Sequence, residues 1–122
     1  MPQILVLDSI SATRAALKLK PIDFAELEGV LCESIAKALT VPSVKGAQLT
    51  ADDVKVDIVT SVSYKTGANN LRILVFANDF KKRRVGLKNR AHMISDAAKA
   101  ILPDDVKGFV YIRLAPAGFA EF

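Results

Sequence analysis

Two features of the sequence have residue types suited to chemistry: a proline directly after Met1, and a run of basic residues near position 85. Pro2 precedes the apolar run Gln3-Ile4-Leu5-Val6-Leu7. Removal of Met1, which is common before a small residue, would give Pro2 a secondary amine at the head of a predicted strand. An α-amino group titrates near about pH 8, and burial or nearby cations lower its pKa further. In its neutral form this amine could take a proton from a carbon next to a carbonyl and return it elsewhere.

The basic run is the decapeptide 81–90, KKRRVGLKNR, with six basic residues and no acidic one. The whole chain has 17 Lys and Arg against 13 Asp and Glu, so the other residues have 11 basic and 13 acidic side chains and a net charge of −2. The positive charge therefore belongs to this decapeptide. It follows a predicted strand and begins a predicted helix, where backbone N–H groups favour an anion, and Arg binds carboxylates through two parallel hydrogen bonds. The pattern indicates an anion clamp.

Length and composition limit the class of protein. A chain of 122 residues predicts a single domain, 1–122, and 51% hydrophobic with 25% charged residues excludes intrinsic disorder. No apolar run is long enough to span a bilayer and the first residues lack a secretory pattern, so no membrane partner is predicted. The one cysteine, Cys32, cannot form an internal disulfide, which favours a reducing, cytoplasmic location, and one Cys with one His leaves no usual zinc site.

The hydrophobic pattern predicts the element order β-α-β-β-α-β. Strands are predicted at 3–7, 54–64, 71–76 and 109–114, and helices at about 22–39 and 87–102. Asp23 and Glu26 have the spacing of a capping box at the start of the first helix, and Pro103 ends the second. The turn-rich stretch 65–70 predicts a hairpin between the two middle strands, and residues 9–20, which show no period, predict an irregular connection.

This order predicts an α+β fold of two βαβ units, with a four-stranded mixed sheet and both helices on one face. The helices share a face because βαβ crossovers are right-handed. The first strand lacks polar alternation, which predicts burial on both of its faces. Strands 54–62 and 71–76 are apolar on nearly both faces, so the sheet face without helices is predicted to pack against other subunits.

The Met-Pro start on a first strand, the β-α-β-β-α-β order and the chain length resemble the tautomerase superfamily, in its long form with both βαβ halves in one chain. The start MPQILVL and the stretch LKNRAHMISDAAKAI resemble its 5-carboxymethyl-2-hydroxymuconate isomerase branch. The end LPDDVKGFVYIRL resembles its macrophage migration inhibitory factor branch. The resemblance implies a homotrimer with inward-facing sheets and active sites near Pro2 at subunit boundaries. It also implies small anionic keto–enol acids as substrates, and no metal or organic cofactor.

The resemblance assigns roles to five residues of this chain. It implies that Pro2 is the catalytic base. Arg84, or its neighbour Arg83, falls close to the loop arginine that grips a substrate carboxylate. Tyr111 matches a tyrosine that lines the pocket, and Arg113 stands where the migration-inhibitory branch has Asn. The predicted substrate-binding set is therefore Arg83, Arg84, Tyr111 and Arg113, with no metal ligands.

Two other functions remain open. The isomerase branch carries a second arginine before the middle strand, where this chain has only Lys45 and Lys55, and a retained Met1 would make the Pro2 nitrogen a non-basic amide. Both points favour a catalytically inactive trimeric binding or structural homologue. The third interpretation is a ferredoxin-like nucleic-acid-binding module, but the exposed aromatic residues that such a sheet needs on its central strands are few, so nucleic acid is not a predicted partner.

Three further residue groups have structural rather than chemical interpretations. We predict His92 to be a surface residue at the flank of its helix and Cys32 to be a small buried hydrophobic residue. Phe119 and Phe122, in the apolar tail, are expected to cover a neighbouring subunit or a pocket rim.

Overall fold

The elements that the sequence predicts are present in the structure, a computed structural model that describes residues 2–44, 48–60 and 71–115. The strands are β1 (Gln3–Asp8), β2 (Lys55–Thr60), β3 (Leu71–Asn78) and β4 (Gly108–Ala115). The helices are α1 (Ser11–Ala16), α2 (Phe24–Leu39), α3 (Lys81–Arg84) and α4 (Leu87–Ile101), with a 3₁₀ helix at Ala51–Asp53. The end of the predicted strand 54–64, the turn 65–70, Lys45 and the tail residues Phe119 and Phe122 lie outside the described residues.

The four strands form one mixed sheet in the order β2-β1-β3-β4. Within each βαβ unit the two strands are parallel neighbours, β1 with β2 and β3 with β4, and the units join through antiparallel pairing of β1 with β3. The predicted α+β fold with a four-stranded mixed sheet is confirmed. The predicted hairpin is wrong, because β1 lies between β2 and β3. Turn chemistry is a local signal, whereas the buried strands β1 and β3 take the centre of the sheet, where both strand edges find partners.

Alternate residues of β1 face two different environments. Ile4 and Val6 are fully buried in the core with the helices, while Gln3, Leu5 and Leu7 on the opposite face are half-buried. Predicted burial of this strand on both faces is therefore wrong for the single chain. The apolar run gave no alternation because the second face is apolar as well, although the helices do not cover it.

The two long helices pack on each other and supply most of the core beneath the sheet. The largest fully buried helical side chains are Leu27, Leu31, Ile35 and Leu39 of α2 and Ile94 of α4. Burial at this spacing confirms both predicted amphipathic helices. No helix in the described ranges is both long and apolar enough to cross a membrane.

Local signals set the starts of these helices. The side chain of Asp23 accepts a hydrogen bond from the backbone N–H of Glu26 at 3.1 Å, as the capping spacing predicts. The helix α4 begins after Gly86, whose φ of 66° lies in the left-handed region that glycine adopts without a Cβ clash. This turn separates α3 from α4 inside the basic decapeptide.

Residues 9–20 contain the short helix α1, so the predicted irregular connection is wrong over 11–16. The carboxylate of Asp8 accepts hydrogen bonds from the backbone N–H groups of Ile10 at 3.1 Å and Ser11 at 3.0 Å, which starts the helix. Arg14 is buried and donates from Nε to the carbonyl oxygen of Lys20 at 3.0 Å. A helix of six residues is too short to show a hydrophobic period in the sequence. The buried side chain of Arg14 stabilises it through contacts outside the helix.

The sheet face away from the helices is called here the open face. Strand register places Leu5 of β1, Leu74 of β3 and Tyr111 of β4 side by side on it. At its edges Val59 and Phe109 are exposed, and the Tyr111 side chain is 55% exposed. Large apolar groups thus lie on all four strands of this face, together with the charged residues Asp57, Arg72 and Arg113.

A substitution at Gly108 tests the close approach of β4 to β3. A Cβ at this position would lie 2.2 Å from the backbone oxygen of Leu71, whereas a Cβ at Gly29 on the exposed side of α2 meets nothing within 4 Å. We expect Gly108→Ala to lower the free energy of unfolding by about 2 kcal/mol or more through backbone displacement. Gly29→Ala should raise it by about 0.5–1 kcal/mol through helix propensity. Urea unfolding measures both, and an unchanged midpoint for Gly108→Ala would contradict the β3–β4 register.

Candidate functional site

Pro2 lies at the head of the central strand β1 and is buried. Its carbonyl oxygen accepts a hydrogen bond from the backbone N–H of Lys55 at 3.2 Å, which extends the β1–β2 ladder by one residue. Since Gln3 pairs with Phe76 on β3 in antiparallel register, Pro2 lies level with Ala77. Pro2 therefore lies between β2 and β3 at the end of the sheet where β1 begins and β3 ends, and this end is called here the Pro2 edge.

The basic decapeptide begins at the same edge. Strand β3 ends at Asn78, and the backbone N–H of Asp79 donates to the carbonyl oxygen of Ala115 at the end of β4, at 3.2 Å. One residue separates Asp79 from α3, so Arg83 and Arg84 also follow the Pro2 edge. The two consecutive arginines have different environments.

Arg84 points toward solvent. Its side chain is 62% exposed, and its Nε donates to a carboxylate oxygen of Asp79 at 2.6 Å. An exposed ion pair of this kind contributes about 0–1 kcal/mol, so another carboxylate can replace Asp79 at little cost. Of the two arginines, Arg84 is the one with an accessible guanidinium.

Arg83 is buried, with 2% of its surface exposed. Its Nε donates to the carbonyl oxygen of Leu39 at 2.8 Å, its Nη1 donates to that of Asn78 at 2.9 Å, and its guanidinium carbon lies 4.9 Å from the ring centre of Phe80. Burial, and to a smaller extent the charge of Arg90, lowers the pKa of Arg83. This side chain ties the end of α2 to the end of β3.

Arg90 has a similar role, and sequence reasoning missed it. Its Nη1 donates to the carbonyl oxygens of Ala38 and Thr40, and its Nε donates to that of Val85 at 3.1 Å. The last carbonyls of a helix lack partners within the helix and attract cations, so Arg83 and Arg90 together cap α2. A signal was present: Arg90 stands three residues after Leu87 and four before Ile94, on the apolar stripe of α4.

The six cationic side chains of the decapeptide thus have different partners. Arg83 and Arg90 bind backbone carbonyls, Arg84 pairs with Asp79, and the Nζ of Lys82 donates to the hydroxyl of Ser43 at 2.9 Å. Lys81 and Lys88 are exposed. An anion at this surface would be bound by Arg84 and the lysines rather than by all six cations.

Tyr111 and Arg113 are not brought to Pro2 within one chain. Both are exposed on the open face of β4, where Arg113 is in register with Phe76 and, through it, with Gln3. They lie two strands from β1, about 10 Å away at the usual strand spacing. Side chains alternate along β1, so Pro2 follows the parity of Ile4 and Val6 on the helix side. A site containing these residues together with Pro2 would need a second copy of the chain.

A second cluster that sequence reasoning missed lies at the opposite end of the sheet, where β4 begins. The guanidinium of buried Arg14 forms a bidentate ion pair with Asp105, which precedes β4. The hydrogen bond from Arg14 holds the pKa of Asp105 below its usual value, with smaller contributions from other neighbours. No spacing in the sequence connects residues 91 positions apart.

The remaining residues whose side chains could take part in chemistry are in structural positions. His92 is exposed on α4, as predicted. Cys32 is half-buried, and its Sγ lies 3.7 Å from the carbonyl oxygen of Val54; burial, followed by the charges of Glu28 and Asp52, raises the pKa of its thiol. Within the described ranges, no group of three or more His, Cys, Asp or Glu side chains is arranged to hold a metal ion.

Pro2 does not line either of two surface cavities that the described residues form. One, of about 520 Å³, lies between α4 and the strands β3 and β4. The other, of about 590 Å³, lies between α2 and the 3₁₀ helix and is lined by residues that include Glu33, Lys37 and Thr50.

Comparison with known proteins identifies the fold. No protein-family model matches the chain, and no curated protein matches it. Among solved structures it is similar to 5-carboxymethyl-2-hydroxymuconate delta-isomerase, with a TM-score of 0.60 and 11% identity over 100% of this chain and 88% of the other. It is also similar to a fused 4-OT described as a wild-type symmetric trimer, with a TM-score of 0.54 and 14% identity over 94% of this chain and 85% of that one. A third is Pt0534 inactivated by 2-oxo-3-pentynoate, with a TM-score of 0.50, 11% identity and coverage of 94% and 85%.

These three structures belong to the tautomerase superfamily, and the chain has their fold. The resemblance that the sequence predicts is confirmed at this level. TM-scores of 0.50–0.60 establish the arrangement of helices and strands, and identities of 11–14% leave the chemistry to the residues of this chain.

The different roles of Arg83 and Arg84 predict different costs of removal. Arg83→Met would leave the carbonyls of Leu39 and Asn78 without their donor, and we expect it to lower the free energy of unfolding by about 2–4 kcal/mol. Arg84→Met removes an exposed ion pair and should change it by less than about 1 kcal/mol. Urea unfolding of both variants measures the difference. Equal losses would contradict the capping role of Arg83.

The Arg14–Asp105 pair predicts a dependence of stability on pH. The folded-state pKa of Asp105 lies below its unfolded value, near about 4, so its contribution is fully present above pH 4 and is lost as pH falls through the folded value. We expect Asp105→Asn to destabilise the protein at pH 7 and the difference from wild type to shrink below about pH 4. Urea unfolding across pH 3–7 checks this, with the neighbouring Asp104→Asn as control. A difference that persisted undiminished at pH 3 would contradict it.

Proposed function

We propose that the protein is a keto–enol tautomerase that isomerises a small anionic 2-oxo acid without a cofactor. The observation that carries the proposal is the burial of Pro2 at the head of the central strand of a tautomerase fold. Two similar structures, a delta-isomerase and Pt0534 inactivated by 2-oxo-3-pentynoate, support this chemistry.

The proposed base is the secondary amine of Pro2 after removal of Met1. Desolvation disfavours the charged form of an amine, so its buried position favours a neutral nitrogen. The neutral nitrogen takes a proton from the enol hydroxyl, or from a carbon next to the carbonyl, and returns it at the other position. The proton that leaves the substrate returns to it, and the substrate is neither oxidised nor reduced.

Arg84 is proposed to bind the substrate carboxylate. It follows the Pro2 edge, and its guanidinium is exposed. The substrate carboxylate would replace that of Asp79 in a bidentate interaction, and the nearby cations Lys81 and Lys82 add positive potential for an anion. The same potential stabilises the negative charge of the enolate that forms during proton transfer.

The proposed assembly is a homotrimer, as the sequence resemblance implies. The open face exposes Phe109, Tyr111 and Val59 beside half-buried Leu5 and Leu74, which is the composition of a surface that packs on other copies. In such an assembly Tyr111 and Arg113 would be supplied to the Pro2 of a neighbouring copy. That arrangement explains how Tyr111 and Arg113, which one chain keeps apart from Pro2 and Arg84, could join them in a single site.

A catalytically inactive trimeric homologue is the second candidate function, and one observation favours it. Arg83, one of the two arginines that the resemblance assigns to substrate, binds backbone carbonyls instead. The ferredoxin-like nucleic-acid module is less favoured, since the parallel strands of each βαβ unit are direct neighbours, without the inserted strand of a split βαβ arrangement.

Mass spectrometry of the untagged protein, followed by an ultraviolet assay with phenylenolpyruvate and 2-hydroxymuconate, tests the proposal. We expect Met1 to be absent from the mass and enol-to-keto conversion to be measurable. Pro2→Ala should lower kcat/KM by about 10²-fold or more, because general-base catalysis contributes that much. Pro21→Ala, which changes an exposed proline outside the site, should leave it unchanged.

Further readouts separate the competing functions. Retention of Met1, or full activity in Pro2→Ala, would refute Pro2 as the base. A trimer by analytical ultracentrifugation without any isomerisation would favour the inactive homologue. Oligonucleotide binding with a steep salt dependence would favour the nucleic-acid module.

A further inference from the structure

A groove between α4 and β4 lies at the edge of the sheet opposite Pro2. Strand β4 begins here at Gly108, which pairs with Leu71, while Pro2 lies level with the far ends of β3 and β4. The groove has a volume of about 520 Å³, within the range of about 300–1,000 Å³ typical of small-molecule sites. Nothing in the proposed proton transfer uses it.

The floor of the groove is apolar. Leu71, Ile73 and Ala98 line it and are almost completely buried, and half-buried Leu102 and Val110 complete its walls. These side chains are also part of, or packed on, the hydrophobic core, so their positions are fixed. A hydrocarbon or aryl group placed here would exchange water contact for contact with a preformed surface.

The rim of the groove is cationic. The exposed residues Lys99, on α4, and Lys107, before β4, both line it, against a single lining carboxylate, that of Asp104. The backbone at Lys107 is held in place because its carbonyl oxygen accepts a hydrogen bond from the N–H of Leu71 at 2.8 Å. Lys99 on α4 and Lys107 in the segment hydrogen-bonded to β3 thus flank an apolar floor.

We propose that this groove binds a small amphipathic carboxylate, a molecule with an aliphatic or aryl tail and one terminal carboxylate. The tail lies against the half-buried apolar lining residues Leu102, Val106 and Val110, beneath which the buried core side chains fix the floor. The carboxylate lies at the rim, where it pairs with Lys99 and Lys107. A simple anion would leave the apolar floor unused, and a neutral hydrocarbon would leave both lysines unused, so the combined surface favours a ligand with both parts.

Octanoate is the probe, because its tail suits the volume of the groove and it stays monomeric at millimolar concentration. We expect saturable binding with submillimolar Kd by calorimetry, and chemical-shift changes in ¹⁵N spectra confined to the amides of Leu71, Lys99 and 106–110. Octanol and octylamine, which keep the tail but lack the negative charge, should bind at least about tenfold more weakly.

The double variant Lys99→Met/Lys107→Met should weaken octanoate about tenfold while leaving octanol unchanged. Lys88→Met, an exposed lysine at the start of the same helix and outside the groove, is the matched control. The substitutions are on exposed side chains, and thermal unfolding verifies that each variant is folded. Arg84→Met, which removes the proposed carboxylate ligand of the active site, should bind octanoate as tightly as wild type, which separates this site from the proposed active site.

Three results would overturn the proposal. The first is the absence of saturable octanoate binding at about 5 mM, far above the expected Kd. The second is equal affinity for octanoate and octanol, which would show an apolar surface without anion selectivity. The third is octanoate binding only to dissociated subunits in ultracentrifugation, which would show that a second copy of the chain occupies the groove instead.

Discussion

The end of α2 is where the two βαβ units are fixed to each other outside the sheet. The last carbonyls of this helix belong to the first unit, and the donors that satisfy them, Arg83 and Arg90, belong to the second. A buried carbonyl without a donor costs about 1–3 kcal/mol, so this junction is a strong constraint on how the units meet. It also holds the segment after β3 in place, and with it Arg84, next to the strand end that carries Pro2.

This junction changes the meaning of the positive charge in the chain. Charge counting treats six basic side chains between 81 and 90 as one anion-binding surface. In the fold, Arg83 and Arg90 donate hydrogen bonds to the carbonyl oxygens at the end of α2, so these two cations are already engaged. The accessible charge is smaller and better placed, since Arg84 and its lysine neighbours lie at the Pro2 edge. A second pair of lysines, Lys99 and Lys107, occurs at the other edge, outside any run in the sequence.

Element type and order were predictable because they depend on local periodicity. The spacing of Leu27, Leu31 and Ile35 and the Asp23 cap predicted α2 to within two residues, and the fold class followed from crossover handedness. The hairpin between β2 and β3 and the irregular stretch 9–20 were predicted wrongly. In both cases a distant partner contributed to the outcome: β1 inserts between the two strands, and Asp105 forms an ion pair with Arg14 of α1. Pro2 and Arg84 were proposed from sequence as site residues, whereas the capping roles of Arg83 and Arg90 were not predicted.

The sequence by itself determined the α+β class, the β-α-β-β-α-β order and the tautomerase resemblance, because these rest on hydrophobic period, cap spacing and the Met-Pro start. The tertiary structure alone decided which of two adjacent arginines is buried, which strands are neighbours, and that Tyr111 and Arg113 lie on the face away from Pro2. The reason is physical: period and propensity act over a few residues, whereas burial and hydrogen-bond partners depend on groups up to 91 positions apart, as in the pairing of Arg14 with Asp105.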